Sequence, residues 1–312
     1  MKAFVTGGAG FIGSHLVDKL IDKGYTVTVY DNLSSGNKQF LKRHMKNDKF
    51  RLVEADLLDL KLVKKEIKNH DVVFHIAANP FVRLGEKQTK LDLEQSGIGT
   101  YNVLESMRVN DIKKIIFSSS SVVYAEKPGF LFPENYGPTL PISLYGAGKL
   151  AAEGLISAFC GTFGFQAWIF RFANVVGARG THGVIVDFIG KLKKNPGELE
   201  ILGDGHQQKP YLYVTDVADG MLYGFEHSNE QLNLFNLSCY STTSVSSIAE
   251  MVMEEMGLKN VKLRYTGGAR GWPGDVPRFQ LDPSKLSKLG WTAKYTSDEA
   301  IRKAIREILD NP

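Results

Sequence analysis

The stretch SLYGAGKLAAE, residues 143–153, sets a phenol at Tyr145 and an ammonium at Lys149. Four residues apart on a helix means one face, with the two side chains about one turn apart. A tyrosine with its ordinary pKa of ~10 is a poor base at neutral pH, and a cation beside it favours the phenolate. The pair is therefore suited to moving a proton. Gly146 and Gly148 share the same turn, although a glycine inside a helix costs about 0.5–1 kcal/mol against alanine. The plain alternative is a surface helix with a solvated lysine, so the pair needs partners. FSSSSVVY, residues 117–124, offers them. Hydroxyls at the carboxyl end of a parallel strand face the crevice where such sheets bind ligands.

A second site is written at the N-terminus. AFVT (3–6) runs straight into TGGAGFIGSH, in which Gly7, Gly10 and Gly13 punctuate a strand-to-helix turn around Phe11 and Ile12. Glycines there allow the tight turn and let backbone N–H groups approach a pyrophosphate, which then sits on the helix N-terminus. The second strand ends at Asp31, 18 residues past Gly13. A carboxylate at that place holds the adenine ribose hydroxyls and repels a 2′-phosphate, favouring NAD over NADP. Asp56 and Leu57 follow the third strand. Asp56 either faces an adenine edge or caps a helix.

These residues need a sheet to hold them. TVTVYD (26–31), RLVEAD (51–56), VVFHIA (72–77), KIIFSSS (114–120) and WIFRFA (168–173) join AFVT as apolar runs. Continuous apolar strands suit a parallel sheet covered on both faces. Helical patterns separate them at 13–24, near 60–69, and at 92–109 and 145–163. Strand–helix alternation predicts an α/β, doubly wound, Rossmann-type parallel sheet. After residue 173 the rhythm loosens into loops such as GARGTHG (177–183) and TGGARGWPGD (266–275). Short strands are expected near 211–214 and 233–237, and helices over 245–256 and 297–309. The division expected is a dinucleotide-binding domain over 1–173, with a returning segment about 211–237, and a smaller mixed α/β substrate lobe over 174–312.

Bulk composition excludes several classes. The chain has 312 residues, 43% hydrophobic and 23% charged, with a net charge of +4, as in an ordinary globular protein. Its lysine clusters are interrupted by acidic and apolar positions, unlike a nucleic-acid footprint. Two cysteines, Cys160 and Cys239, make no disulfide scaffold and no zinc spacing; both read as small buried hydrophobes. No apolar run approaches the ~20 residues of a membrane span, and no signal peptide pattern opens the chain. The expectation is a cytoplasmic protein with no metal, nucleic-acid or membrane partner.

Together, TGGAGFIGSH, DNLSSG (31–36), HIAA (75–78), FSSSSVVY, YGAGK, RFANVVG (171–177), ILGDG (201–205), YVTDVA (213–218), GDVP (274–277) and LGW (289–291) occur in order along nearly the whole chain. The chain resembles the extended short-chain dehydrogenase/reductase superfamily and, within it, the nucleotide-sugar epimerases typified by UDP-glucose 4-epimerase. The resemblance implies Tyr145 as acid/base and Lys149 as the charge beside it and the holder of the nicotinamide ribose. It implies Ser120 as the hydroxyl on the sugar O4, with Ser119 and Ser121 as rivals. NAD would be held further by Asn32, Ser35, Gly36, Ala77, Ala78 and Phe172. Asn174, Val184, Lys209, Arg270 and Asp275 would hold the nucleotide diphosphate, although Asn174 and Asp275 also suit loop backbone groups. Arg83 would face the sugar or a phosphate. A homodimer packed through the helices near 92–109 and 145–163 is also implied.

The departures bear on specificity. Gly148 stands where the family has serine, Ser96 where asparagine is frequent, Ala125 where glycine follows Tyr124, and Trp272 where an arginine precedes PGD. Lys209 replaces an arginine, keeping the charge and losing the fork. Ser121 and Val122 lack the acidic pair of the 4,6-dehydratases, and Val122 lacks the glutamate of the UDP-glucuronate decarboxylases. Phe279 sits where a large residue limits room at the sugar's 2-position, which favours glucose and galactose over N-acetyl sugars. The reaction implied is C4 epimerisation of a UDP-hexose through a transient 4-keto sugar; the rival of another class is a non-catalytic NAD-binding sensor.

Overall fold

A computed structural model describes residues 1–124, 126–127 and 129–310; Ala125 lies outside the described residues. The main sheet has seven strands: β1 Lys2–Thr6, β2 Thr26–Asp31, β3 Phe50–Glu54, β4 Val72–His75, β5 Lys114–Ser120, β6 Gln166–Phe172 and β7 Leu232–Leu237. Their order is β3-β2-β1-β4-β5-β6-β7, and every pairing is parallel. This is the doubly wound arrangement, with its direction reversing between β1 and β4. Ligands bind at that switch point, outside the carboxyl ends of the strands.

The helices are α1 Phe11–Asp22, α2 Leu60–Glu66, α3 Gly99–Val109, α4 Leu144–Phe163, α5 Val184–Lys194, α6 Val214–His227, α7 Val245–Glu255, α8 Ser284–Lys288 and α9 Ser297–Asp310. Side chains of successive strand residues point to opposite faces, and the sheet separates two cores accordingly. Ala3, Val5, Val72, Phe74 and Ile116 pack with α1 and α6 on one face. Phe4, Val73, Ile115 and Phe117 pack with α2, α3 and α4 on the other. Strands buried on both faces are why the sequence runs apolar instead of alternating. A third core joins α5, α7 and α9 with Leu199 and Ile201.

Three helices, α5, α6 and α8, escape the sequence patterns. α6 contains Gly220 and Gly224, which lower helix propensity. A Cβ on Gly220 would lie 2.5 Å from Leu237 Cδ1, and one on Gly224 2.8 Å from Phe170. Both glycines let the helix lie close on the sheet. α5 buries Ile185, Phe188, Ile189 and Leu192, a helical repeat hidden behind the glycine loop that precedes it. The predicted helix over 92–109 forms as a π-helical turn, Leu93–Ile98, leading into α3. Beyond residue 173, Tyr211–Tyr213 pairs with Asn174–Val176, and β7 joins the edge of the main sheet. Cys160 and Cys239 are free and buried. No helix among the described residues is long and apolar enough to cross a membrane.

Candidate active site

The turn from β1 to α1 is built from the glycines. Gly7 has φ +69°, and a Cβ there would lie 2.6 Å from Ala77 N. A Cβ on Gly13 would fall 2.0 Å from Gly7 O, so α1 can start this close to its own turn only with glycine. Gly10 caps α1 without a side-chain hydrogen bond, and the first turn carries no acid. The helix N-terminus is left with free N–H groups and its positive dipole end, a site for an anion. Asp31 ends β2 beside it. Its carboxylate accepts from Ala9 N and Leu33 N, both at 2.9 Å, and burial raises its pKa. A Cβ on Gly36 would sit 2.9 Å from Asp31 Oδ1, so this glycine keeps the carboxylate approachable. An uncapped helix start, glycines without room for a Cβ and a carboxylate at the end of β2 together fit an adenine dinucleotide.

From this turn a cleft of about 340 Å³ runs along the carboxyl ends of the strands. Gly7, Gly10, Phe11, Ile12, Gly13, Asp31, Asn32 and Ser35 line one end. Leu57, Ala77, Ala78 and Phe172 line the middle, and Ser120, Tyr145, Lys149 and Asn174 line the other end. Asp56 does not line it. Its carboxylate accepts from Leu58 N at 2.8 Å and from Asn32 Nδ2 at 2.8 Å. Asp59, three residues on, is the residue that caps α2.

The phenol end is closely held. Lys149 is 2% exposed, and its Nζ donates to Ser118 O at 2.6 Å. That Nζ lies 5.9 Å from the centre of the Tyr145 ring. Burial depresses Lys149 to about 7, against the upward pull of Glu153 and Asp92. Burial pushes the Tyr145 phenol up to about 12, Asp92 adds to the rise, and the Ser120 hydroxyl opposes it. Lys149 is expected to favour the phenolate; in the free chain burial is the larger effect on the phenol, and the ammonium is turned to a carbonyl.

Of the three serines, Ser119 donates to Glu153 Oε1 at 2.5 Å, and Ser121 begins a short 3-10 turn. Ser120 is the one that interacts with the phenol. The two glycines of the opening stretch serve packing within the chain. A Cβ on Gly146 would lie 2.4 Å from Val122 O, and one on Gly148 would lie 2.8 Å from Asp92 O and 3.1 Å from Ser96 Cβ. They let α4 press against the serine turn and the π-helical turn.

Lys209, Arg270, Asp275, Phe279, Val184 and Arg83, expected at the substrate, lie outside the cleft lining, as do Gly36 and Asp56. Lys209 Nζ pairs with Asp275 Oδ1 at 2.6 Å, and Arg270 donates to Asp275 O at 2.9 Å and pairs with Glu126. These three are brought together, with both cations engaged by carboxylates. Phe279 is buried with Val123, Tyr124 and Phe132, and Val184 packs with the third core. Arg83 stands over the Trp272 ring at 5.7 Å, linking the loop after β4 to the loop that carries Arg270.

Sequence reasoning missed Thr181 and His182, which line the cleft; the His182 ring lies 5.5 Å from that of Phe81. Their signal was a histidine inside a glycine loop, GTHG. It also missed Asp92, 1% exposed, with Oδ1 accepting from Asn79 at 3.1 Å. Nothing in the local pattern separates that aspartate from a solvated helix acid.

Comparison with known proteins agrees with this geometry. The NAD dependent epimerase/dehydratase family model matches residues 3–238. The chain is 36% identical to a putative UDP-glucose 4-epimerase of Methanocaldococcus jannaschii, over 98% of each chain. It is 40% identical to a crystal structure of a UDP-galactose 4-epimerase, TM-score 0.89, over 99% of each. It is also similar to the UDP-glucose 4-epimerase of Thermotoga maritima, solved with UDP-glucose, at 32% identity and TM-score 0.88 over 99% of each.

Proposed function

Because this chain belongs to the NAD dependent epimerase/dehydratase family, we propose that it interconverts UDP-galactose and UDP-glucose with bound NAD. The observation that carries this is the meeting of Tyr145, Lys149 and Ser120 at one end of a cleft whose other end is an uncapped helix N-terminus. The reaction inverts C4 of the hexose through a transient 4-keto sugar. Held in this cleft, NAD would supply the acceptor and donor of the hydride at C4.

Tyr145 takes the O4 proton and gives it back. Ser120 bonds O4 and holds it against the phenol. Lys149 uses one N–H on Ser118 O; an ammonium has three, which leaves donors for the nicotinamide ribose. Its charge offsets the burial that holds the phenol protonated. Asp31, Asn32, Ser35, Gly36, Leu57, Ala77, Ala78 and Phe172 hold the rest of the dinucleotide. Asn174 meets the UDP-sugar from the strand beside the cleft. Lys209 and Arg270 exchange their carboxylate partners for the diphosphate, and Asp275 turns to the nucleotide, with Val184 beside it. Phe279, packed on Tyr124 and Phe132, limits room at the sugar's 2-position.

The test is a set of parallel assays with UDP-galactose, UDP-N-acetylgalactosamine and UDP-glucuronate. UDP-galactose is expected to have the highest kcat/KM, by about tenfold or more, the scale set by a single poorly fitting group in a pocket. Equal or better turnover of the N-acetyl sugar would remove Phe279 as the selecting residue.

The protein is further proposed to act as a homodimer. α4 exposes a stripe of small residues, Ala147, Ala151, Gly154, Ala158 and Gly161, and Leu93, Ile98 and Tyr101 are exposed on the adjoining helical segment. Light scattering is expected to give twice the 34.6 kDa chain mass, and Ala151→Glu to return it to one.

A further inference from the structure

Glu153 stands one turn beyond Lys149 on α4, and its role is not that of a surface acid. Its Oε1 accepts from Ser119 at 2.5 Å and from Arg171 Nε at 3.0 Å, and its Oε2 from Arg171 Nη2 at 2.7 Å. The two side chains are 8% and 6% exposed. Arg171 Nη1 donates to Glu134 O at 3.2 Å, and its guanidinium lies 4.7 Å from the Tyr124 ring centre. Tyr124 donates to Asn236 Oδ1 at 2.8 Å, and Asn236 donates to Phe132 O at 2.8 Å. One carboxylate thus ties the helix of Tyr145 and Lys149 to the strand of Ser118–Ser120. Through Arg171 it reaches the segment on which Phe279 packs.

Stability does not explain this arrangement, since the desolvation cost of a buried ion pair offsets most of its attraction. Its place beside the reacting groups does. The groups facing Lys149 are Glu153 and Tyr145 from its own helix, Asp92 from the turn before α3, and His75 from β4. Phe117 and Ser118 O face it from β5. Burial pushes Asp92 toward its neutral acid and His75 toward its neutral ring. Glu153 is gripped by the Arg171 guanidinium on both oxygens.

We propose that Glu153 is a positioning residue for the reaction at C4: through Ser119 it fixes where Ser120 stands against Tyr145, and from one turn along α4 its carboxylate favours the ammonium form of Lys149. The inference rests on the function proposed above. Glu153→Gln keeps the shape and removes the charge, while Glu153→Asp keeps the charge and shortens the reach. In pH profiles of kcat/KM with UDP-galactose, Glu153→Gln is expected to move the alkaline limb down by about 0.5–1 unit. Glu153→Asp is expected to leave that limb in place and lower kcat about tenfold, with KM changed less than about threefold, as for an interaction made in the transition state.

A second readout needs no turnover. The pH dependence of the thermal midpoint of the nucleotide-free chain, compared with that of a Lys149→Met double variant, reports the charge on Lys149. A merely structural Glu153 would lower the midpoint in both variants and leave the limb and kcat of the folded fraction alone; that result overturns the proposal. If Glu153→Gln does not fold, unchanged kcat in Glu153→Asp overturns the positioning on its own. If the wild type turns over no UDP-hexose, the proposed function fails, while the midpoint comparison still decides whether Glu153 holds the charge of Lys149.

Discussion

Tyr145→Phe is expected to lower kcat by about 10²–10⁴-fold, the usual contribution of one positioned acid/base. The argument is local. The phenol is half-buried where α4 meets the serine turn, and desolvation pushes it up to about 12. In the reaction proposed it acts as a base only when opposing charge arrives, which would confine its ionisation to the loaded site. Phenylalanine fills the same volume, so α4 keeps its packing and the cleft its shape. KM for UDP-galactose is expected to change less than about threefold, the signature of an interaction made in the transition state. Circular dichroism and NAD content should match the wild type. A variant retaining more than a tenth of the wild-type kcat would place the base elsewhere.

Lys149→Met is expected to abolish turnover to a similar degree and to change stability in a pH-dependent way. Lys149 falls from the ordinary 10.5 to about 7 in the folded chain because its ammonium is buried. Below pH 7 both folded and unfolded chains carry the proton, and the full desolvation cost opposes folding. Between 7 and 10.5 the unfolded chain binds the proton and the folded chain releases it, so wild-type stability rises with pH through that window. Each unit of depression corresponds to roughly 1.4 kcal/mol. Methionine has no such cost, though it leaves Ser118 O without its donor. The stability difference, variant minus wild type, should therefore be largest below pH 7 and fall steadily towards pH 10.5. Urea unfolding of the nucleotide-free proteins at several pH values measures it. A difference independent of pH would mean that the ammonium is solvated in the folded chain.

Much of this was legible before the structure. β2 and β5 form over the very residues their patterns mark, 26–31 and 114–120, since Gly24 and Asp31 bound the run of β2 and Lys114 and the serines bound that of β5. The glycine turn was legible because its residue types answer backbone demands that no other residue meets. What escaped depends on tertiary contact. α6 was hidden because Gly220 and Gly224 weaken a helix locally, and their compensation is contact with Leu237 and Phe170 across the chain. Gly146 and Gly148 show in the sequence only as a cost to the helix, and their reason lies in their close neighbours, Val122 O and Asp92 O. Asp92 itself gives no local sign that it is buried beside the phenol. Lys209, Arg270 and Asp275 were grouped by resemblance and do cluster, but their ion pairs connect residues up to 144 apart in the chain, and no spacing discloses a pairing of that kind.

The central claim is that one hydride leaves C4 of a UDP-hexose and returns to the opposite face while Tyr145 exchanges the O4 proton. The direct measurement is conversion of UDP-galactose deuterated at C4, followed by mass and NMR analysis of the UDP-glucose formed. The account predicts product that keeps the deuterium at C4, formed without solvent hydrogen entering the carbon and lost in Tyr145→Phe. Conversion with the label washed out into water, or product in which C4 has gained solvent hydrogen, would contradict it.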